Sequence, residues 1–189
     1  MTKKSYIFIL LAIVALTGCS IFQGEDTRAK PVIAAKPKAM PEGTAIANAA
    51  RIKEGGRIFI GTFKAGAGVE VNSESDQVSL LLMKGIADTF EADSTVSGKL
   101  TIVSDAKLDK PDFILSGYIT QCSSTGAMKK MMLQGKKLKL AVKAKLVDAK
   151  TGDILAHFSE QESASAESHG ILGQRIGIRI GKIITGIFK

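Results

Sequence analysis

The sequence predicts an α+β fold, an α/β sandwich in which a mixed, largely antiparallel sheet of about five strands is packed by two main helices. Residues 73–92 and 169–189 repeat apolar residues at helical spacing, and Lys137–Asp148 alternates apolar and polar residues as a half-buried strand does. Hydrophobic residues make up 45% of the 189-residue chain, enough for one core. Because only 5% of residues are aromatic, that core must be largely aliphatic.

The first predicted strand is Arg57–Phe63, in which Ile58 and Ile60 alternate with Phe59. Both faces carry apolar groups, so we expect a central strand that is covered on two sides. The glycine-containing segment Ala65–Gly68 follows. It lacks the Gly-Lys-Ser/Thr of a phosphate-binding loop, so we interpret it as a flexible loop.

Ser73–Ala92 is the clearest predicted helix. Ser73 followed by Asp76 resembles an N-cap signature. The apolar residues on one face of this helix are Val78, Leu81, Leu82, Ile86 and Phe90. A second, short strand is predicted at Leu100–Val103.

A third strand is predicted over Asp112–Gln121, and Gly117 in its middle indicates a bulge or the close approach of a neighbour. Ser123–Lys136 is predicted to be a loop or hairpin tip. Its methionines beside lysines fit either an adaptable contact surface or a cap on the open end of the core.

Lys137–Asp148 is predicted to be an antiparallel strand with one wet face. Asp148–Asp153 has the composition of a turn, in which Asp148 accepts from backbone amides and Gly152 supplies a positive φ. Ile154–Glu162 then returns as the partner strand.

The tail, His169–Lys189, fits a helix better than a strand, because its apolar stripe continues for too many turns. That stripe consists of Leu172, Ile176, Ile180, Ile183, Ile184 and Ile187. Gly173, Gly177 and Gly181 lie beside it and would let the helix lie close against the sheet. The alternative is a glycine-spaced face that packs against another helix or against a membrane.

Two phrases carry a family resemblance. Pro111–Ile119 reads Pro-Asp-Phe-Ile-Leu-Ser-Gly-Tyr-Ile, and Lys143–Leu155 contains Leu-Val-Asp-Ala-Lys-Thr-Gly-Asp. They resemble the envelope-lipoprotein superfamily that includes the curli-secretion lipoprotein CsgG, the penicillin-binding-protein activator LpoB and the TolB amino-terminal domain. The resemblance covers roughly Arg57–Lys189 and implies the fold but no shared catalytic site.

Residues 1–18 are predicted to be a signal peptide. Two lysines precede an apolar run, Tyr6–Leu16, and small residues follow it. The run is shorter than the roughly 20 apolar residues that span a bilayer. An ordinary signal peptide is the alternative to the lipoprotein signal described next.

Leu16-Thr17-Gly18-Cys19 resembles the lipobox of bacterial lipoproteins. That resemblance implies cleavage before Cys19, diacylation of its thiol and acylation of its new amino group, with palmitate as a typical chain. Several acyl chains on Cys19 would form a lasting anchor. Ser20, where an Asp would imply retention in the inner membrane, implies an outer-membrane address on the periplasmic face.

The sequence divides into three parts. Residues 1–18 form the signal, and residues 19–50 form a lipidated N-terminus and flexible linker, in which spaced prolines favour extended chain. Residues 51–189 form the periplasmic α/β domain.

The net charge is +8 at pH 7. In the periplasm such a charge meets lipid headgroups and cell-wall polymers, so we expect no nucleic-acid partner. The basic side of the alternating strand is a candidate face for an anionic ligand such as peptidoglycan or lipid headgroups, or else an ordinary solvated face. Its residues are Lys137, Lys139, Lys143 and Lys145.

No catalytic or metal-binding pattern is visible. His157 and His169 have no cysteine or carboxylates at ligand spacing, and we expect both at the surface. Cys122, the second of two cysteines, is expected to be buried. We therefore expect no enzyme and no cofactor besides the covalent lipid on Cys19.

The sequence therefore favours a membrane-anchored accessory or assembly factor that contacts protein partners in an envelope complex. The alternative is a binding module for an anionic envelope ligand. A homo-oligomeric ring that forms through the tail is a third hypothesis.

Overall fold

A six-stranded sheet and two long helices account for most of the computed structural model, which describes residues 43–125, 137–165 and 167–189. In chain order, the elements are β1 (Ala45–Ile46), α1 (Ala49–Lys53), β2 (Gly56–Ala65), α2 (Ser73–Ala92), α3 (Ser94–Ser97), β3 (Leu100–Val103), β4 (Phe113–Thr125), β5 (Lys137–Asp148), β6 (Ile154–Ser165) and α4 (His169–Ile187). The predicted signal peptide, Cys19 and the methionine-containing part of the predicted hairpin tip lie outside the described residues.

The strands are arranged in the order β1-β6-β5-β4-β2-β3. β2 is parallel to both β3 and β4, whereas β4, β5, β6 and β1 pair antiparallel. The mixed sheet with two main helices confirms the predicted fold class, and β2 is an interior strand as predicted, although it lies next to the edge strand β3. The strand beyond the predicted five is β1, whose two residues are too few to show a periodic pattern.

One face of the sheet forms the core with α2 and α4. Every second residue of β5, from Leu138 to Asp148, is buried, whereas the residues between them are half-buried or exposed. The predicted alternation is therefore confirmed. The buried residues of the two helices include Val78, Leu82, Ile86 and Phe90 of α2 and Leu172, Ile176, Ile180 and Ile184 of α4.

Among the described residues no such layer covers the opposite face of the sheet, so the prediction that β2 is covered on both sides is wrong for this part of the chain. Phe59 is half-buried, and Thr62 and Lys64 on that side are exposed. In the sheet register Phe59 lies between Val103 and Ile114, which are also half-buried, so this part of the outer face carries a short apolar row without a described second layer.

The N-cap of helix α2 lies one residue earlier than predicted. Asn72, and not the predicted Ser73, is the N-cap: its side-chain oxygen accepts from the amides of Glu74 (3.1 Å) and Ser75 (3.0 Å). The Asn72 amide donates in return to the Ser75 hydroxyl at 3.0 Å. This reciprocal pair satisfies amides that the helix itself leaves without partners.

The glycines of α4 pack against α2, so the prediction that they lie against the sheet is wrong. A Cβ at Gly173 would lie 2.9 Å from the Val78 carbonyl oxygen, and a Cβ at Gly181 would lie 2.7 Å from Thr89 Cβ. Contacts advance along both helices in the same direction, so α2 and α4 run parallel. The tail therefore packs in the core of its own domain, with its apolar stripe buried there and its glycine edge against a helix rather than the sheet.

Two predicted local features are confirmed. Gly117 lies where neighbours approach closely, because a Cβ there would be 2.8 Å from Phe63 Cε1 and 2.9 Å from Ala144 Cα. In the turn after β5, Asp148 accepts from the Lys150 amide at 2.8 Å, and Gly152 has a φ of 79°. Among the helices that the structure describes, none combines the length and the apolar character that crossing a bilayer would need.

Candidate functional site

The uncovered face of the sheet brings the predicted lysines together. Lys139, Lys143 and Lys145 project from β5 onto this face, and Lys137 lies at the start of the same row. In the sheet register, Lys143 lies between Tyr118 of β4 and Ser159 of β6. We call the surface formed by Lys139, Lys143, Lys145, Tyr118 and Lys64 the basic sheet face.

The lysines of the basic sheet face lie away from the described carboxylates. Among the described residues, no carboxylate oxygen lies within 4.0 Å of the Nζ atoms of Lys139, Lys143 or Lys145. None of the β4 and β6 residues beside these lysines in the register carries a carboxylate: they are Ser116, Tyr118, Ser123, His157, Ser159 and Ser163. Within the part of the chain that the structure describes, the face is therefore a positive surface that is open to water.

The acidic residues of β6 lie on the other side of the sheet. Glu160 and Glu162 both pair with Arg179 of α4, whose Nε lies 3.1 Å from Glu160 Oε2. Strand alternation therefore separates the signs of charge, with the carboxylates facing α4 and the lysines facing outward.

Tyr118 adds an aromatic group to the basic sheet face. It pairs with Lys64 of β2 and Lys143 of β5, and 48% of the residue is exposed. A tyrosine presents a rigid apolar body and a polar tip, which suits contact with either a protein or a carbohydrate. Lys64 and Tyr118 were not among the predicted site residues, because their place beside the β5 lysines depends on strand order.

A polar cluster closes one end of the sheet. Arg51 Nε donates to Asp148 Oδ2 at 2.6 Å, and Lys150 Nζ lies 3.1 Å from Asp112 Oδ1. Burial alone would raise the pKa of Asp148, but hydrogen bonds from the Lys150 amide and the Arg51 side chain outweigh it, and the pKa lies below its usual range. These contacts tie α1 to the β5–β6 turn, and so their role is structural.

A third cluster joins Glu74, Cys122 and His169. His169 Nδ1 lies 2.5 Å from Glu74 Oε1, and His169 Nε2 lies 3.1 Å from the Ser123 carbonyl oxygen. The prediction that His169 is a surface group is wrong, because only 3% of it is exposed. It is the first residue of α4, directly after the Ser168 N-cap, and it contacts Glu74 in the first turn of α2. His157 is half-buried beside Lys145.

Cys122 lacks the features of an activated nucleophile. It is half-buried rather than fully buried as expected. Burial, and then the negative charge of Glu74, raise the pKa of its thiol, whereas a nucleophilic cysteine needs a lowered one. The His169 imidazole could accept the proton of the Cys122 thiol, but both of its nitrogens already have partners. Nδ1 contacts the Glu74 carboxylate and Nε2 contacts the Ser123 carbonyl oxygen.

Cys19, the predicted lipidation site, lies outside the described residues, and its lipid remains a prediction. The four lysines share one strand face as predicted, while the ligand of that face also remains a prediction. No sequence signal indicated the Glu74–Cys122–His169 cluster, because its members lie far apart in the chain and meet only through the packing of α2, β4 and α4.

No family model matches this sequence, and no curated protein matches it. Among solved structures, a single-substitution variant of PelC from Paraburkholderia phytofirmans, a dodecamer, is similar, with a TM-score of 0.51 and 10% identity over 69% of this chain and 89% of that chain. The PelC dodecamer from the same organism gives a TM-score of 0.49 and 11% identity over 72% and 91%.

The lipoprotein GNA1162 from Neisseria meningitidis is a further similar structure, with a TM-score of 0.42 and 14% identity over 68% of this chain and 98% of that chain. At these identities the likenesses show the fold alone. Solved structures similar to this chain thus include a bacterial lipoprotein. Membership in the superfamily of CsgG, LpoB and the TolB amino-terminal domain stays a prediction.

Proposed function

We propose that this chain is a noncatalytic outer-membrane lipoprotein that acts as an accessory or assembly factor in an envelope complex. Lipid on Cys19 would hold it to the membrane, and the domain would face the periplasm. The observation that supports this role best is the basic sheet face, an exposed surface whose lysines have no acidic partner among the described residues.

The partner best suited to this face is a protein with an acidic surface. Opposite charge would steer the encounter and set the register, while Tyr118 would supply buried contact area.

A photo-crosslinking amino acid in place of Tyr118 tests this contact in cells. We expect one discrete protein adduct, which disappears when Lys139→Glu, Lys143→Glu and Lys145→Glu are combined. The matched control combines Lys53→Glu, Lys107→Glu and Lys182→Glu, three exposed lysines away from this face. An adduct that survives the first triple variant, or that the control removes equally, would refute the proposal.

An anionic envelope ligand is the second candidate, favoured by the spacing of lysines along one strand. Peptidoglycan or lipid headgroups would then occupy the face. Salt-sensitive sedimentation with cell-wall sacculi, or with vesicles of anionic lipid, would support it if the first triple variant abolished sedimentation and the control did not. Equal sedimentation of both triple variants would rule it out.

The membrane anchor has its own test. We expect Cys19→Ser to move the protein from the membrane fraction to the periplasmic extract, because the acyl chains supply the membrane affinity. Retention of the variant in the membrane fraction would contradict lipid anchoring.

Self-association is a further part of the proposal, suggested by the dodecameric PelC structures that the fold resembles. The apolar stripe of α4 is buried in the domain's own core, so an oligomer would need other surfaces. Light scattering of the purified chain would give its mass, and a monomer across the micromolar range would contradict self-association.

A further inference from the structure

Three side chains of metal-binding type converge beside the two main helices. Glu74 comes from the first turn of α2, Cys122 from β4 and His169 from the first residue of α4. Their ligand atoms all lie within 4.8 Å of one another. Since Glu74 has 53% of its side chain exposed and His169 only 3%, the cluster opens to solvent on the carboxylate side.

The hydrogen bond to the Ser123 carbonyl oxygen determines which nitrogen of the His169 ring carries a proton. A carbonyl oxygen only accepts, so the Nε2 atom, 3.1 Å from the Ser123 oxygen, carries a proton. In a neutral imidazole this leaves a lone pair on Nδ1. That lone pair faces Glu74 Oε1 at 2.5 Å.

Two acceptors at this separation need a proton or a metal ion between them. A metal-binding histidine typically donates its other N–H to a carbonyl or carboxylate, which fixes the ring. The Ser123 carbonyl already makes this contact.

We propose that Glu74, Cys122 and His169 bind one Zn²⁺ ion. Thiolate and imidazole favour zinc over calcium or magnesium, and a carboxylate is a common third ligand. With a neutral imidazole, the thiolate and carboxylate balance the two positive charges of the ion. Three protein ligands leave one tetrahedral position for water or for a group from a partner.

Binding requires only a modest rearrangement. Zinc bonds of about 2.0–2.3 Å place tetrahedral ligand atoms about 3.3–3.7 Å apart, so the Glu74 carboxylate must move away from Nδ1. Its exposed side chain is free to do so, while the Ser123 contact holds His169 in place. The ion would join the starts of α2 and α4 to β4.

Cobalt substitution tests the site in the full-length chain. The protein carries Cys19→Ser in every sample, so that Cys122 is its only thiol, and it is purified without a histidine tag and freed of metal by a chelator. We expect Co²⁺ to produce thiolate-to-cobalt charge-transfer absorption at a single equivalent, and Zn²⁺ to abolish it. Cys122→Ser should remove the absorption completely.

Competition with a chromophoric chelator then measures Zn²⁺ affinity. We expect Glu74→Gln to weaken Zn²⁺ affinity by more than about tenfold. Removing a residue that only hydrogen-bonds a metal ligand already costs about that much, and Glu74 would be a ligand itself. Glu91→Gln removes an exposed carboxylate from the other end of the same helix and should leave affinity unchanged. Circular dichroism verifies that each variant is folded.

Two results would overturn the proposal. One is the absence of charge-transfer absorption from folded protein with an intact Cys122. The other is Zn²⁺ affinity that is the same in Glu74→Gln and Cys122→Ser as in the parent chain. In either case a proton, rather than a metal ion, joins His169 to Glu74.

Discussion

Gly177 lies at the closest approach of α4 to α2, and replacing it with alanine tests the packing of the two helices. A Cβ at this position would overlap the carbonyl oxygen of Leu82 and would lie 3.2 Å from the Ile86 amide nitrogen. Both atoms belong to the backbone of α2 and cannot rotate away. The helices would therefore have to separate or shift.

Two opposing effects set the magnitude. Alanine is a better helix former than glycine by about 1 kcal/mol, which would stabilise the variant. Overpacking a core contact costs about 1–3 kcal/mol, and a clash with backbone falls toward the upper part of that range. We therefore expect Gly177→Ala to lower the free energy of unfolding by about 1–2 kcal/mol.

Gly186 provides a matched control in the same helix. A Cβ there would meet no atom within 4 Å, so Gly186→Ala gains helix propensity without a clash. Urea unfolding followed by circular dichroism should show a lower midpoint for Gly177→Ala and an equal or higher one for Gly186→Ala. A Gly177→Ala variant as stable as the parent chain would refute the close packing of α2 on α4.

The remaining predictions concern local contacts. Asn72→Ala should lower the free energy of unfolding by about 1 kcal/mol in urea, because two α2 amides lose their acceptor, and no change would contradict the cap. Because the folded-state pKa of Asp148 is lowered, its stabilisation is present above the ordinary value near 3.9 and is lost as pH falls through the lower folded pKa. Acid titration of stability should therefore be steeper in the parent chain than in Asp148→Asn, and equal slopes would contradict this. Val142→Ala should lower the free energy of unfolding by about 1–3 kcal/mol, because Val142 is 1% exposed and the change removes buried methyl groups. Ala141→Ser, on the outer face of the same strand, should change the free energy of unfolding little.

Local patterns predicted most of the fold. The alternation of β5 and the helical spacing of α2 and α4 survive in the structure because each element buries one face in a single core. The cap of α2 was misplaced by one residue, since Asn72 and Ser73 are both good caps and only the hydrogen bonds distinguish them. The true partner of the α4 glycines could not be predicted, because helix–helix and helix–sheet contacts both favour small residues.

The candidate sites depended more on tertiary structure. The lysine row was visible because it lies within one strand, whereas Tyr118 joins it only through the pairing of β4 with β5. The Glu74–Cys122–His169 cluster combines residues from three elements. Its geometry follows from the parallel arrangement of α2 and α4, which no spacing within the sequence specifies.

The most direct test of the central claim is amine footprinting of the basic sheet face in intact cells. A small lysine-reactive reagent that enters the periplasm labels the protein in cells and after purification, and mass spectrometry gives the labelled fraction of each lysine. If the basic sheet face contacts an envelope partner, the labelling of Lys143 and Lys145 relative to exposed Lys107 should be several-fold lower in cells than in the purified chain. The same ratio in both samples would contradict the claim that this face is occupied.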